Sequence, residues 1–351
     1  MKKYFLFCVF LVLLFVSCGR KKAIVVEPAF YMWNSGGFYG VRDEIADLNV
    51  SKFYYKIFEV DYNEVRGNFP IAKNRPDFYG YREYKNETME IIPTVFVKNE
   101  VLKHNDHKSL DELADNIVYL ISKYIDPLIV ENKEKEKIIY NEIQIDCDWT
   151  KSTKDNYFYL LRKIKELSKK KISCTLRLYP YAYPEIMGVP PVDRVTLMCY
   201  NLISPLDNPN KNSILDVAEL EKYIKGKKKY PLKLDVALPV FSWTQHYQNN
   251  RFARLLNLTS KDIKTVAKKT DEFWYTITKD TTVNWNVKLK MGDRIKCEEV
   301  PLADLKKAVA LIKKHVPLDG NVTISLFDLQ SSVFKKYSHE ELSDLYTTFS
   351  K

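Results

Sequence analysis

The sequence predicts a (β/α)8 barrel of the TIM type with a small β-rich insertion between its seventh and eighth strands. Three observations predict it. Eight short runs rich in β-branched and aromatic residues alternate with amphipathic helical stretches, the pattern of a parallel sheet that closes on itself. No Gly-rich phosphate turn follows any of the runs, which argues against an open doubly wound sheet. More than 300 of the 351 residues remain once the N-terminal segment is set aside, a usual size for one barrel.

The first element is that N-terminal segment. Lys2 and Lys3 form a basic head, residues 4–16 are apolar, and Ser17 stands directly before Cys18. An apolar stretch of about 13 residues is too short to span a bilayer of about 30 Å as a helix, but it has the layout of a secretory signal. A small residue followed by cysteine at the exit resembles the bacterial lipobox, although Phe15 stands where leucine is usual. We expect residues 1–17 to be a signal peptide, Cys18 to be lipidated, 18–27 to be a tether and 28–351 to be the barrel domain. Arg20, Lys21 and Lys22 would lie beside lipid head groups. The expected location is the bacterial cell envelope, anchored in the membrane through the N-terminal lipid.

Charge and cysteine content narrow the classes. The formal charge of +10 becomes +8 when Lys2 and Lys3 leave with the signal. The excess is spread over clusters at 169–171, 225–229 and 313–314 that read as solvated helix faces and turns. With export, this gives no nucleic-acid partner. After Cys8 and Cys18 are set aside, Cys147, Cys174, Cys199 and Cys297 remain, with no CxxC pair. Three of these lie in strand-like runs and read as small apolar residues, so no disulfide framework, metal site or cofactor is expected. His104, His107 and His246 do not have ligand spacing.

The strand runs are 29–34, 52–60, 89–97, 142–149, 173–181, 194–202, 233–243 and 321–329; helical patterns cover 109–129, 153–169, 216–225, 302–315 and 338–349. Ser109 is the expected cap of the first of these helices, and Ser152 or Asp155 of the second. The second and fifth links are poor in helix. The insertion, at about 244–301, holds extended segments at 272–280 and 282–290, a Met291-Gly292-Asp293 turn and a further strand at 294–300.

Reacting groups of such a barrel sit at the C-terminal ends of its strands. The fourth run reads Gln144-Ile145-Asp146-Cys147-Asp148-Trp149-Thr150. Side chains alternate, so Gln144, Asp146 and Asp148 share the inner face, while Ile145 and Cys147 pack outward. Two carboxylates two residues apart repel when both are ionised, and one should hold its proton more tightly, as an acid/base or substrate-orienting pair does. Lys56 or Arg177 could instead pair with them. Trp33, Glu59, Asp61, Trp149, Tyr179, Tyr181, Tyr200, Asn201, Phe241, Trp243, Asp328 and Gln330 close the strand ends. Flat aromatics beside carboxylates and amides suit a sugar, with its apolar C–H faces and hydroxyl edges.

Ile145 to Thr150 resembles the fourth-strand motif of family-18 glycoside hydrolases, the chitinase-like barrels. Leu197-Met198-Cys199-Tyr200-Asn201 is similar to their sixth-strand Met-x-Tyr-Asp, and Leu238-Pro239-Val240-Phe241 to their seventh-strand Pro-Phe-Tyr. The Gln-Ile-Asp-x-Asp form also resembles an uncharacterised bacterial lipoprotein group. The resemblance implies a carbohydrate ligand, with Asp148 orienting it, Asp146 as partner of Asp148, and Tyr200 steadying the same group. Asn201 replaces an Asp. Thr150 stands where the family's general-acid Glu is placed, and a threonine hydroxyl supplies no proton at neutral pH. The expected function is a glycoside hydrolase-like lipoprotein acting on a poly- or oligosaccharide through Asp146, Asp148 and Tyr200. Trp33, Glu59, Trp149, Asn201, Trp243 and Asp328 are the expected ligand-binding residues. The alternative is a non-catalytic glycan binder on the same barrel. Protein partners are not legible.

Overall fold

The computed structural model describes residues 24–33, 41–50, 52–74, 90–125, 140–206, 210–256, 258–284 and 286–350. The expected signal peptide and Cys18 lie outside the described residues. The eight barrel strands are β1 (Val25–Met32), β2 (Lys52–Asn63), β4 (Glu90–Val97), β5 (Glu142–Asp146), β6 (Lys171–Leu176), β7 (Arg194–Met198), β8 (Lys233–Pro239) and β16 (Asn321–Phe327). They pair in parallel in chain order, and β1 pairs with both β2 and β16, which closes the sheet. The fold is therefore a (β/α)8 barrel. Its strands are buried on both faces, which is why they read as nearly continuous apolar runs.

The outer layer follows from helical periodicity. Leu110, Leu113, Ala114, Ile117, Ile121 and Ile125 line the buried side of the helix His107–Ile125. Tyr157, Leu160, Leu161 and Ile164 do the same for Lys154–Ser168. Asp106, not Ser109, caps the first of these, accepting the Ser109 N–H at 2.9 Å. The second starts at Thr153, whose hydroxyl accepts the Thr150 N–H, so neither Ser152 nor Asp155 is the cap residue.

Three expected boundaries are corrected. The run 173–181 stops as a strand at Leu176, and the chain turns at Arg177 into the helix Leu178–Ala182. The run 233–243 is two strands: β8 ends at Pro239, and the Val240 N–H bonds back to the Phe327 carbonyl at 2.8 Å before β9 (Ser242–Gln248) leaves the barrel. β2 continues past Val60 and folds back as β3 (Gly67–Ile71). Asn63 Oδ1 accepts the Val65 and Arg66 N–H groups in the intervening turn, which Gly67 exits at φ +65°.

The insertion is a five-stranded antiparallel sheet formed by β9, β10 (Arg251–Leu256), β11 (Ala267–Lys269), β12 (Trp274–Ile277) and β15 (Arg294–Glu299). The expected strand 282–290 is a hairpin, β13 (Thr281–Val283) and β14 (Val287–Leu289). A small core of Leu256, Leu258, Ile263, Ile277, Leu289 and Ile295 supports the sheet.

Inside the barrel, alternation builds layers. At the N-terminal end lie Glu27, Lys52, Glu142, Arg194 and Asp235, with ion pairs Lys52–Glu27 at 2.6 Å and Arg194–Asp235 at 3.0 Å. Above them Tyr31 stacks on Tyr54, donates to Gln144 at 2.8 Å, and Gln144 donates to Thr196 at 3.2 Å, a brace across the interior. The C-terminal layer is the mouth. The four thiols Cys147, Cys174, Cys199 and Cys297 are free and buried.

Candidate functional site

The mouth is built first by β5. Asp146, the last residue of that strand, points inward and is buried. The Thr175 hydroxyl on neighbouring β6 donates to its Oδ1. Burial, and then the negative charge of Asp148, push the Asp146 carboxyl up to about 7, against the opposing effects of Thr175 and Arg177. Asp146 thus holds its proton toward neutral pH. Asp148 lies beyond the strand, half-exposed, with its two oxygens 3.2 and 3.3 Å from one Arg177 nitrogen. The other terminal nitrogen of Arg177 donates to the Asn201 carbonyl at 2.9 Å, tying the ends of β5, β6 and β7 together. Asn201 sits at φ 53°, a left-handed conformation that asparagine tolerates. Among the described residues its buried Oδ1 has no hydrogen-bond partner.

Register brings the other strands to the same level. Glu59 of β2 lies opposite Phe96 of β4, and Phe96 opposite Asp146. Lys56 bonds Glu59 at 2.5 Å and lies over the Trp33 ring, 4.8 Å from its centroid. Rings then run around the opening. Trp33 meets Phe96 at 6.1 Å and Phe327 at 5.6 Å between centroids. Phe327 stacks on buried Tyr200 at 4.9 Å and meets Phe241 at 5.5 Å, and Phe241 meets Trp243 at 5.7 Å. Burial holds the Tyr200 phenol well above its ordinary range, so it stays protonated. Asp328 is buried and takes the Gln330 amide on both oxygens, at 2.8 and 3.0 Å.

Trp243 reaches the barrel from the insertion because of one buried carboxylate. Glu298 on β15 accepts from the Trp243 indole N–H at 2.6 Å, the Gln245 amide at 2.8 Å and the Ser213 N–H at 2.6 Å, and pairs with Lys296 at 3.0 Å. Both charges are fully buried. Glu298 therefore fastens the loop after β7 to the paired strands β9 and β15 of the insertion.

The structure thus brings Trp33, Glu59, Asp146, Asp148, Tyr200, Asn201, Trp243 and Asp328 to one end of the barrel. Trp149 is the correction. Alternation carries it to the outer face with Cys147, where it packs on Tyr157 at 5.1 Å and donates to the Met187 carbonyl at 3.3 Å. Tyr179 and Tyr181 also leave the mouth, since they belong to a helix and pack on Tyr183 and Tyr230. Thr150 is exposed and shares a hydroxyl cluster with Ser152 and Thr153. Sequence reasoning missed Phe96, Phe327 and Glu298. The first two carried the alternation signal of their strands. Glu298 carried none, because the groups that donate hydrogen bonds to it are 53 to 85 residues away in sequence.

A separate cleft of about 650 Å³ opens outside the barrel wall, between β3 and the helix His107–Ile125. Phe58, Tyr62, Phe69 and His104 line it, and none of the sequence-predicted site residues does.

No family model matches this chain, and no curated protein matches it. Among solved structures it is similar to a GH18 chitinase from Cycas revoluta in complex with (GlcNAc)3, at 11% identity and TM-score 0.49, covering 91% of this chain and 99% of that one. A GH18 chitinase from Pseudoalteromonas aurantia aligns at 10% identity and TM-score 0.48, covering 92% and 99%. The chitinase-like agglutinin from Robinia pseudoacacia aligns at 13% identity and TM-score 0.43, also covering 92% and 99%.

Proposed function

We propose that this chain is a cell-envelope lipoprotein, anchored through Cys18, whose barrel mouth binds a poly- or oligosaccharide. The observation that carries the reading is the ring of partly exposed aromatics, Trp33, Phe241, Trp243 and Phe327, at the same end of the barrel as Asp146, Asp148 and an Asn201 Oδ1 that has no hydrogen-bond partner among the described residues. Sugar rings stack their C–H faces on such rings, and their hydroxyls satisfy carboxylates and amides. Binding without turnover is the better supported form. Each mouth carboxylate already has a partner: Asp146 has Thr175, Asp148 has Arg177, Glu59 has Lys56 and Asp328 has Gln330. Thr150 brings no acid.

One observation favours hydrolysis as a second reading. Asp146 is protonated up to about pH 7, and strand neighbours on one face lie roughly 7 Å apart, within the spacing that glycoside cleavage uses. If Asp146 donates that proton, the rate is present in acid and falls as pH rises through about 7.

The test is a glycan panel that includes N-acetylglucosamine oligomers, offered to the chain from Gly19 and read for binding and for product. Wild type is run beside Asp148→Asn. Binding without product supports the receptor. Product that vanishes in the variant establishes the hydrolase. Neither signal across the panel removes the sugar reading.

A further inference from the structure

We infer that the N-terminal face of the barrel is a docking surface for an anionic lipid bilayer, so that the mouth points away from the membrane. In a parallel barrel every strand starts on one face, and every crossover helix ends there. Segments far apart in sequence therefore converge on it. The three lysine clusters that read in sequence as scattered solvated turns all fall on this face. Residues 169–171 lead into β6, 225–229 precede β8, and 313–314 end the helix before β16. The strand order β1-β16-β8-β7-β6 places them on one continuous arc that runs up to β1.

Helix C-termini favour a lysine or two for their dipole. These clusters exceed that, since 169–171 and 227–229 continue beyond the helix ends into the loops. Nearby carboxylates do not cancel them. Asp193 holds Lys165 at 2.7 Å, Glu221 holds Lys225 at 2.9 Å and Asp319 holds Lys229. Lys169, Lys171, Lys228, Lys313 and Lys314 are exposed besides. Two exposed apolar side chains, Val25 and Leu167, share the face.

The route of the chain selects a bilayer over other polyanions. The Val25 N–H bonds the Gly320 carbonyl at 2.9 Å, so the described chain enters the barrel within the basic arc. Cys18 precedes Ile24 by six residues, a reach of at most about 21 Å. A lipid on Cys18 would hold this face close to the head groups, where lysines are attracted and salt screens the attraction. The orientation rests on the proposed anchor; the charge of the face does not.

The chain from Gly19 retains every barrel strand and is used for the test. Its co-sedimentation is measured with vesicles of phosphatidylcholine alone and of phosphatidylcholine mixed with phosphatidylglycerol, at low and high salt. A triple variant of the arc, Lys169→Glu, Lys228→Glu and Lys314→Glu, is compared with a charge-matched variant of the insertion, Lys268→Glu, Lys279→Glu and Lys288→Glu. Thermal melts check that both are folded. We expect salt-sensitive binding to the mixed vesicles only, reduced about tenfold or more by the arc variant and less than about twofold by the insertion variant. Three results would overturn the proposal: no preference for the anionic vesicles, equal loss in both variants, or displacement of the vesicles by a DNA duplex at matched phosphate. Failure of the anchor is separately visible, as absence of fatty acid on the full-length exported chain.

Discussion

Asp146 concentrates the chemistry of the mouth in one group. Its ordinary carboxyl value is 3.8 and burial beside Asp148 takes it to about 7. The folded state therefore keeps a proton that the unfolded chain releases between about pH 4 and pH 7, and stability falls as pH rises through that window. Asp146→Asn removes the charge that has to be buried. We expect it to raise stability at pH 8 by on the order of 1–3 kcal/mol and to change it little at pH 4, where Asp146 is already neutral. Denaturant melts at the two pH values check this. A shift of equal size at both would mean that shape, not charge, governs the site. Asp148 contrasts with it: two residues further on, it is half-exposed and held by Arg177.

At the scale of the element, what matters is where a strand stops and which way its last side chain points. β5 ends at Asp146, yet alternation persists for a few residues, so Asp148 faces the mouth and Trp149 faces the helix Lys154–Ser168. Two tryptophans at strand ends thus lie on opposite sides of the barrel wall. Trp149→Ala should cost about 3–5 kcal/mol of stability through the cavity it leaves, with glycan affinity per folded molecule unchanged. Trp33→Ala, at the partly exposed end of β1, should cost less than about 1.5 kcal/mol and weaken glycan binding at least about tenfold. Paired melts and titrations would decide, and a reversed pattern would put the site on the outer face of β5. β8 makes the same point at its own end: because it stops at Pro239, Trp243 is carried by the insertion, where Glu298 holds its indole N–H and Phe241 packs on its ring.

Across the whole molecule, the closed barrel separates two charged ends. The N-terminal end holds Glu142, whose carboxyl burial raises, and Asp235, raised by burial to about 6 despite the opposing charge of Arg194. Arg194→Met would leave both acids buried beside Lys52 alone among these cations. We expect a loss of about 3–5 kcal/mol at pH 8 that shrinks as pH falls toward about 6, because without the lowering charge of Arg194 the Asp235 carboxyl takes up its proton above that value. Urea titrations across that range test the sign; a loss independent of pH would show that Arg194 acts by packing alone. The outer surface of the same end carries the basic arc, while the mouth carries aromatics and paired carboxylates, so the two faces differ in charge and chemistry.

The sequence by itself determined the barrel. Eight runs buried on both faces and helices with one apolar stripe leave few other ways to cover that surface, and period-two alternation put Asp146 inside and Cys147 outside. The insertion was legible for the same reason, as extended segments punctuated by a Met291-Gly292-Asp293 turn. Tertiary structure decided what depends on distant partners. It broke the run 233–243 at Val240, whose N–H is taken by Phe327 on the neighbouring strand. It turned Leu178–Ala182 into a helix despite its aromatic content, and sent Trp149 outward to a carbonyl 38 residues away. It also chose Glu298 to hold Trp243 and drew three separate lysine clusters onto one face. Local sequence carries the periodicity that fixes which side of a strand a residue faces. It does not carry the hydrogen bonds and charges that only barrel closure brings within reach.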